Sequence, residues 1–106
     1  MTINELCKKA TIQSTISGFH SPSPTRMEKL MLIVSELAEA AEELRKPGVA
    51  DEYEVNNKPE GLTVELADTI IRVCDFCGYH GLDLESAIKR KLAYNATREF
   101  KHGKTI

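Results

Sequence analysis

The sequence is short of several things, and each shortage closes a class of function. No apolar run approaches the roughly 18 residues that a membrane-spanning helix needs. The first twenty residues lack the basic start and apolar block of a signal peptide. Three cysteines cannot all pair within one chain, so a disulfide framework is not expected and a reducing, cytoplasmic setting fits better. There is no basic excess: 14 basic against 16 acidic side chains give a formal charge of -2, which argues against a general binder of nucleic-acid polymers. No glycine-rich phosphate loop, no Ser or Cys nucleophile signature, no internal repeat and no convincingly alternating strand is visible.

What is present is the composition of a single globular domain, with 42% apolar and 28% charged residues in 106. A chain of this length buries a thin core, which makes a partner subunit an economical source of further burial. The near-zero charge also hides a split. Between Glu28 and Asp68 there are eleven acids and four bases, whereas between Lys89 and Lys104 there are six bases and one acid.

Apolar spacing predicts four helices, at about 2–17, 25–46, 62–79 and 83–100, and therefore an all-α, four-helix bundle-like protomer. Thr25 and Glu28 read as a capping box, Pro47-Gly48 as a stop, and Asp83 as an N-cap. Residues 47–61, with two prolines, two glycines and four acids, read as one long loop.

On the second helix Leu30, Ile33, Val34, Leu37, Ala41 and Leu44 cluster on one side, and Glu36, Glu39 and Glu43 on another. The third helix repeats the division, with Leu66, Ile70, Val73, Cys74 and Cys77 as its apolar stripe and Glu65, Asp68, Arg72 and Asp75 opposite. Glu-x-x-Glu at Glu36 and Glu39 is thus answered by Glu-x-x-Asp at Glu65 and Asp68. If the two helices pack antiparallel with these faces together, four carboxylates converge, which is unfavourable unless a cation sits among them. All-oxygen ligation selects Mg²⁺ or Mn²⁺ rather than zinc.

On the fourth helix Leu84, Ile88 and Leu92 set an apolar stripe that runs into Asn95, flanked by Lys91 and Arg98. Two cations and an amide at i, i+4 and i+7 suit phosphate oxygens, with Lys101, His102 and Lys104 extending the positive field. An amphipathic helix end with snorkelling stems is the plainer reading. Cys74 and Cys77 lie on the apolar stripe and are read as core packing rather than zinc ligands. Phe19 and His20 would stack on a base or simply plug the end of the first helix.

Taken together, Ser35-Glu36-Leu37-Ala38-Glu39 and Glu65-Leu66-Ala67-Asp68 resemble the paired-carboxylate signature of MazG-like all-α nucleotide pyrophosphohydrolases. Lys91 to Arg98 and Lys101 to Lys104 resemble that family's basic C-terminal segment. One departure is Ser35, where the family often has a first glutamate. The resemblance implies hydrolysis of a nucleoside triphosphate to the monophosphate and pyrophosphate, with Mg²⁺ held by Glu36, Glu39, Glu65 and Asp68. It implies Glu36 as general base, assisted by Glu39. Lys91, Asn95, Arg98 and Lys101 would bind substrate, with lesser parts for Phe19, His20 and His102, in a homodimer or homotetramer. Two other readings compete. A di-iron carboxylate bundle normally carries Glu-x-x-His pairs, which are absent. An inactive helical oligomerisation module would not need all four ligand positions.

Overall fold

The computed structural model describes residues 1–98, so the expectations for Lys101, His102 and Lys104 lie outside the described residues. Four helices follow in order, α1 (Ile3–Ile16), α2 (Arg26–Leu44), α3 (Leu62–His80) and α4 (Leu84–Ala96). Their ends follow local chemistry. Thr2 with Glu5 and Thr25 with Glu28 form reciprocal capping boxes at the starts of α1 and α2. The Asp83 carboxylate accepts from the Ser86 amide at 3.1 Å to start α4. Gly81, at φ 67°, ends α3 in the left-handed conformation that glycine adopts most readily. Among the described residues no helix is long and apolar enough to cross a membrane.

The segment expected to be one unstructured loop contains a small antiparallel hairpin. Strand β1 (Tyr53–Val55) pairs with β2 (Lys58–Glu60), with Val55 opposite Lys58. The turn is Asn56-Asn57, both at positive φ (52° and 66°), the geometry that matches the twist of a two-residue hairpin. Three-residue strands, one of them with Pro59 at its centre, are too short to display alternation, so the sequence pattern misses them.

Helix α3 is the centre of the molecule, and α1 and α2 both pack against it. The α1–α3 core is made of small residues: Cys7, Ala10, Cys74 and Cys77 are buried, with Ile3, Leu6, Val73, Phe76 and Leu84 half-buried around them. The two cysteines of the Cys-x-x-Cys are therefore core, as expected. Gly78 permits the close approach, because a Cβ there would stand 2.7 Å from the Cys7 carbonyl oxygen and overlap Thr11 Oγ1. Helix α4 is attached by its first turn. Leu84 packs on the core and Glu85 Oε1 accepts from the Asn4 amide at 3.3 Å. No residue of α4 is buried, so α4 does not close a four-helix bundle within the protomer.

The faces of α2 are distributed in an unexpected way. Its contact with α3 uses Lys29, Ile33, Glu36, Ala40 and Glu43, spaced four and three residues apart, of which Lys29 and Ala40 are buried. The apolar row one residue on, Leu30, Val34, Leu37, Ala41 and Leu44, is exposed. On α3 the stripe divides, with Val73, Cys74 and Cys77 turned into the core while Leu66 and Ile70 are exposed. The radius of gyration, 16.4 Å, exceeds the roughly 13 Å of a compact chain of this length.

Alanine in place of glycine within a helix normally gains about 1 kcal/mol of propensity. At Gly78 the steric conflict with α1 should reverse that sign. Gly78→Ala is expected to lose about 1–3 kcal/mol in urea denaturation, the usual cost of overpacking. A variant as stable as the parent would show that α1 and α3 do not approach this closely.

Candidate metal centre

The acidic seam of α2 meets the acidic face of α3, and the carboxylates converge. Oxygens of Glu36, Glu65 and Asp68 lie within 4.8 Å of one another. Glu39, exposed on the next turn, reaches the Glu65 carboxyl. The i, i+3 spacing on each helix places both pairs on facing turns, which is why the four residues meet. Glu65 belongs to a second group as well, with Glu43 and Glu60, again within 4.8 Å. Glu43 was visible in the sequence as part of the acidic face of α2. Glu60 sits on β2, where no periodicity marks it.

Lys46 pairs with Glu43 at 2.9 Å and Lys58 with Glu60 at 3.2 Å, which leaves little positive charge on Glu36, Glu65 and Asp68. Arg72, one turn beyond Asp68 on α3, donates from Nε to Glu36 Oε1 at 2.6 Å. Lys58 of the hairpin acts on Asp68 from further away. Glu65 Oε2 is buried with no hydrogen-bond partner. Burial above all, then the Glu39 carboxyl, which bonds best to the protonated acid, and the charges of Asp68 and Glu36 push Glu65 up to about 7. Asp68 is also raised, by burial and then by Glu36, against the opposing pull of Arg72 and Lys58. A deprived carboxylate oxygen surrounded by other carboxylates suits a hard divalent cation, since metal–oxygen bonds would replace the missing hydrogen bond and offset the repulsion.

A cavity of about 380 Å³ opens beside the cluster and shares Glu36, Asp68 and Arg72 with it. Its other walls are α1 (Ala10, Gln13, Ser14, Ser17), the turn with Phe19 and His20, and Leu32, Ile71 and Phe76. Phe19 and His20 are thus brought to the same pocket as the carboxylates. The side chain of His20 is only 6% exposed. Its Nε2 lies 3.0 Å from Asp75 Oδ1 and its ring stacks on Tyr79 at 3.8 Å between centroids. The Lys29 ammonium sits 3.9 Å from the centre of the Tyr79 ring and 3.3 Å from His80 Nε2. Burial, then Lys29 and Arg26, hold His80 below the usual histidine range, so its neutral ring accepts from Lys29. This chain of contacts was not legible in the sequence, because Lys29 lies in what looks like a polar position of α2.

Lys91, Asn95 and Arg98 are not brought to the site. None of the three lines the cavity, and no α4 cation is among the charges acting on Glu65 or Asp68. Lys91, on α4, and Arg98, just past its C-terminal end, instead flank the Tyr94 ring.

The carboxylate cluster has a sign that solution measurements can read. Between the ordinary glutamate value of 4.5 and about 7, the folded protein holds a proton on Glu65 that the unfolded chain has released. Stability therefore falls as pH rises through that window. Metal-free protein should melt lower at pH 8 than at pH 6, and millimolar Mn²⁺ should reverse that difference by binding the ionised cluster. Glu65→Gln should flatten both responses. Melting temperatures indifferent to Mn²⁺ at pH 8 would count against a cation at this position.

No family model matches this chain, and neither a curated protein nor a solved structure matches it.

Proposed function

We propose that this protein hydrolyses nucleoside triphosphates to the monophosphate and pyrophosphate, with Mg²⁺ or Mn²⁺ held by Glu36, Glu39, Glu65 and Asp68. The observation that carries this reading is the buried, unpartnered Glu65 oxygen within a group of converging carboxylates, beside a cavity large enough for an organic group. The paired-carboxylate resemblance supplies the reaction class. When bound, the cation would withdraw electrons from the phosphoryl group and stabilise the departing pyrophosphate.

The chain's own residues would do the rest. Water adds to the α-phosphorus, its proton passes to a carboxylate, and the bond to the bridging oxygen breaks with its electrons leaving on pyrophosphate. Glu36 is our choice of base. The Arg72 bond fixes its orientation through one oxygen and leaves the other to hold water. Phe19 and the stacked His20 form the wall against which a base would lie.

Assembly as a homodimer or homotetramer belongs to the same proposal. The exposed rows on α2 and α3, and a shape more extended than a chain of this length needs, support it.

Pyrophosphate release from a panel of ordinary, deoxy and modified triphosphates, with and without Mg²⁺, tests the activity. Glu39→Gln and Asp68→Asn should each reduce metal-dependent release by about a hundredfold or more, the scale of groups that stabilise transition-state charge. Release undiminished by either substitution would overturn the assignment of the site.

A further inference from the structure

We propose that Lys58, on the β-hairpin, is a phosphate contact of this centre: when a triphosphate occupies the carboxylate site, the Lys58 ammonium leaves Glu60 and binds oxygens of the departing pyrophosphate. The inference rests on the function proposed above, and the geometry that carries it belongs to the hairpin.

The hairpin is built onto the carboxylates. The Tyr53 hydroxyl of β1 lies 3.2 and 3.1 Å from the two Glu43 oxygens. Glu60 of β2 brings its own carboxylate within 4.8 Å of Glu43 and Glu65. The Thr63 amide, in the first turn of α3, donates to the Asp51 carbonyl at 3.0 Å. That bond ties the chain entering β1 to the helix that carries Glu65 and Asp68. Side chains two apart on a strand share a face, so Lys58 stands on the same side of β2 as Glu60. The Asn56-Asn57 turn and the pairing of Lys58 with Val55 set its backbone.

The cations around the carboxylates differ in how firmly they are held. Arg72 and Lys46 are bonded to Glu36 and Glu43, whose side chains are largely buried, and breaking such a pair strands a charge out of water. Lys58 is 75% exposed, and it pairs with Glu60, itself 23% exposed, at 3.2 Å. Exposed ion pairs contribute little to stability, so Lys58 exchanges partners at small cost. The Glu60 bond above all, then the charges of Glu65 and Asp68, hold its ammonium above the usual lysine range. The field of the site therefore already reaches this side chain.

The chemistry asks for a cation here. Lys91, Asn95 and Arg98 do not line the cavity, so the charge of a polyphosphate has to be met by other residues. Bond breaking at the α-phosphorus leaves negative charge on the pyrophosphate. An ammonium that gains little from Glu60 gains more from oxygens on which charge is building, and that difference favours the transition state. Lysine suits the task because it is a point charge on a flexible stem and follows a departing group.

Inorganic pyrophosphate, titrated calorimetrically into Mn²⁺-loaded protein, tests the contact without turnover. Lys58→Met keeps much of the stem and removes the charge. Lys9→Met removes the same charge from an exposed position on α1 and serves as the control. Lys58→Met should weaken pyrophosphate binding by about tenfold or more, the loss of one charge-assisted hydrogen bond, while Lys9→Met should match the parent. Lys58→Arg, which restores a charged donor, should bind more tightly than Lys58→Met. Mn²⁺ alone should bind the metal-free Lys58→Met protein as tightly as the parent or more tightly, because a competing cation is gone; a merely structural role would weaken it. Pyrophosphate binding by Lys58→Met equal to that of Lys9→Met would overturn the proposal. So would Mn²⁺ binding lost together with pyrophosphate binding, or a parent that binds no pyrophosphate. With triphosphate as substrate, kcat/KM of Lys58→Met should fall by about tenfold or more. A parent that binds pyrophosphate through Lys58 but turns over no triphosphate would remove the proposed reaction and leave the contact standing.

Discussion

Everything distinctive about this molecule depends on a helix interface that repels itself. Helices α2 and α3 meet through carboxylates, and the one direct ion pair across the described contact is Arg72 with Glu36. An ordinary helix pair would place its leucines there. This one places Lys29, Ile33, Glu36, Ala40 and Glu43, so that small and half-buried side chains hold the helices together while the charges face each other. The cost is visible in Glu65, whose carboxyl keeps its proton to about neutral pH and whose second oxygen has no partner. Sites under such tension are where ions and substrates do the balancing.

Turning the acidic face inward forces the apolar face outward. A helix has one circumference, and each residue given to the α3 contact is taken from elsewhere. The leucine row of α2 is therefore exposed, and the buried core shrinks to a cluster of cysteines and alanine between α1 and α3. That cluster is tight because Gly78 and Thr11 allow the backbones to approach. It is also small, so much of the protomer's apolar surface stays exposed. The carboxylate cluster and the exposed apolar row are two results of one choice of helix face.

A second polar network shapes the pocket. Lys29 on α2, Tyr79 and His80 on α3, and His20 in the turn after α1 hold one another by a hydrogen bond, a cation–π contact and a ring stack, with Asp75 fixing the His20 ring. The network ties three elements to one corner of the cavity and keeps the imidazole edge in place. Such charged polar clusters specify a unique arrangement at modest gain in stability, and here His20 Nδ1 is left without a hydrogen-bond partner.

Much of this was legible from residue order. The capping box at Thr25, the stop at Gly81 and the cap at Asp83 are local chemistry, so those helix ends could be placed without knowing their neighbours. The two carboxylate pairs were legible for the same reason, since i, i+3 spacing fixes a shared face wherever the helix lies. Periodicity, however, shows only that a helix has two faces, and not which one its own chain will cover. The packing of α2 on α3 decided that the acids face inward and that Leu30, Val34 and Leu37 stay bare. It also decided that Glu43 and Glu60 join Glu65, that Lys29 finds His80, and that Lys91 and Asn95 do not line the cavity beside the carboxylates. Those outcomes depend on contacts between residues distant in sequence, and local spacing carries no information about them.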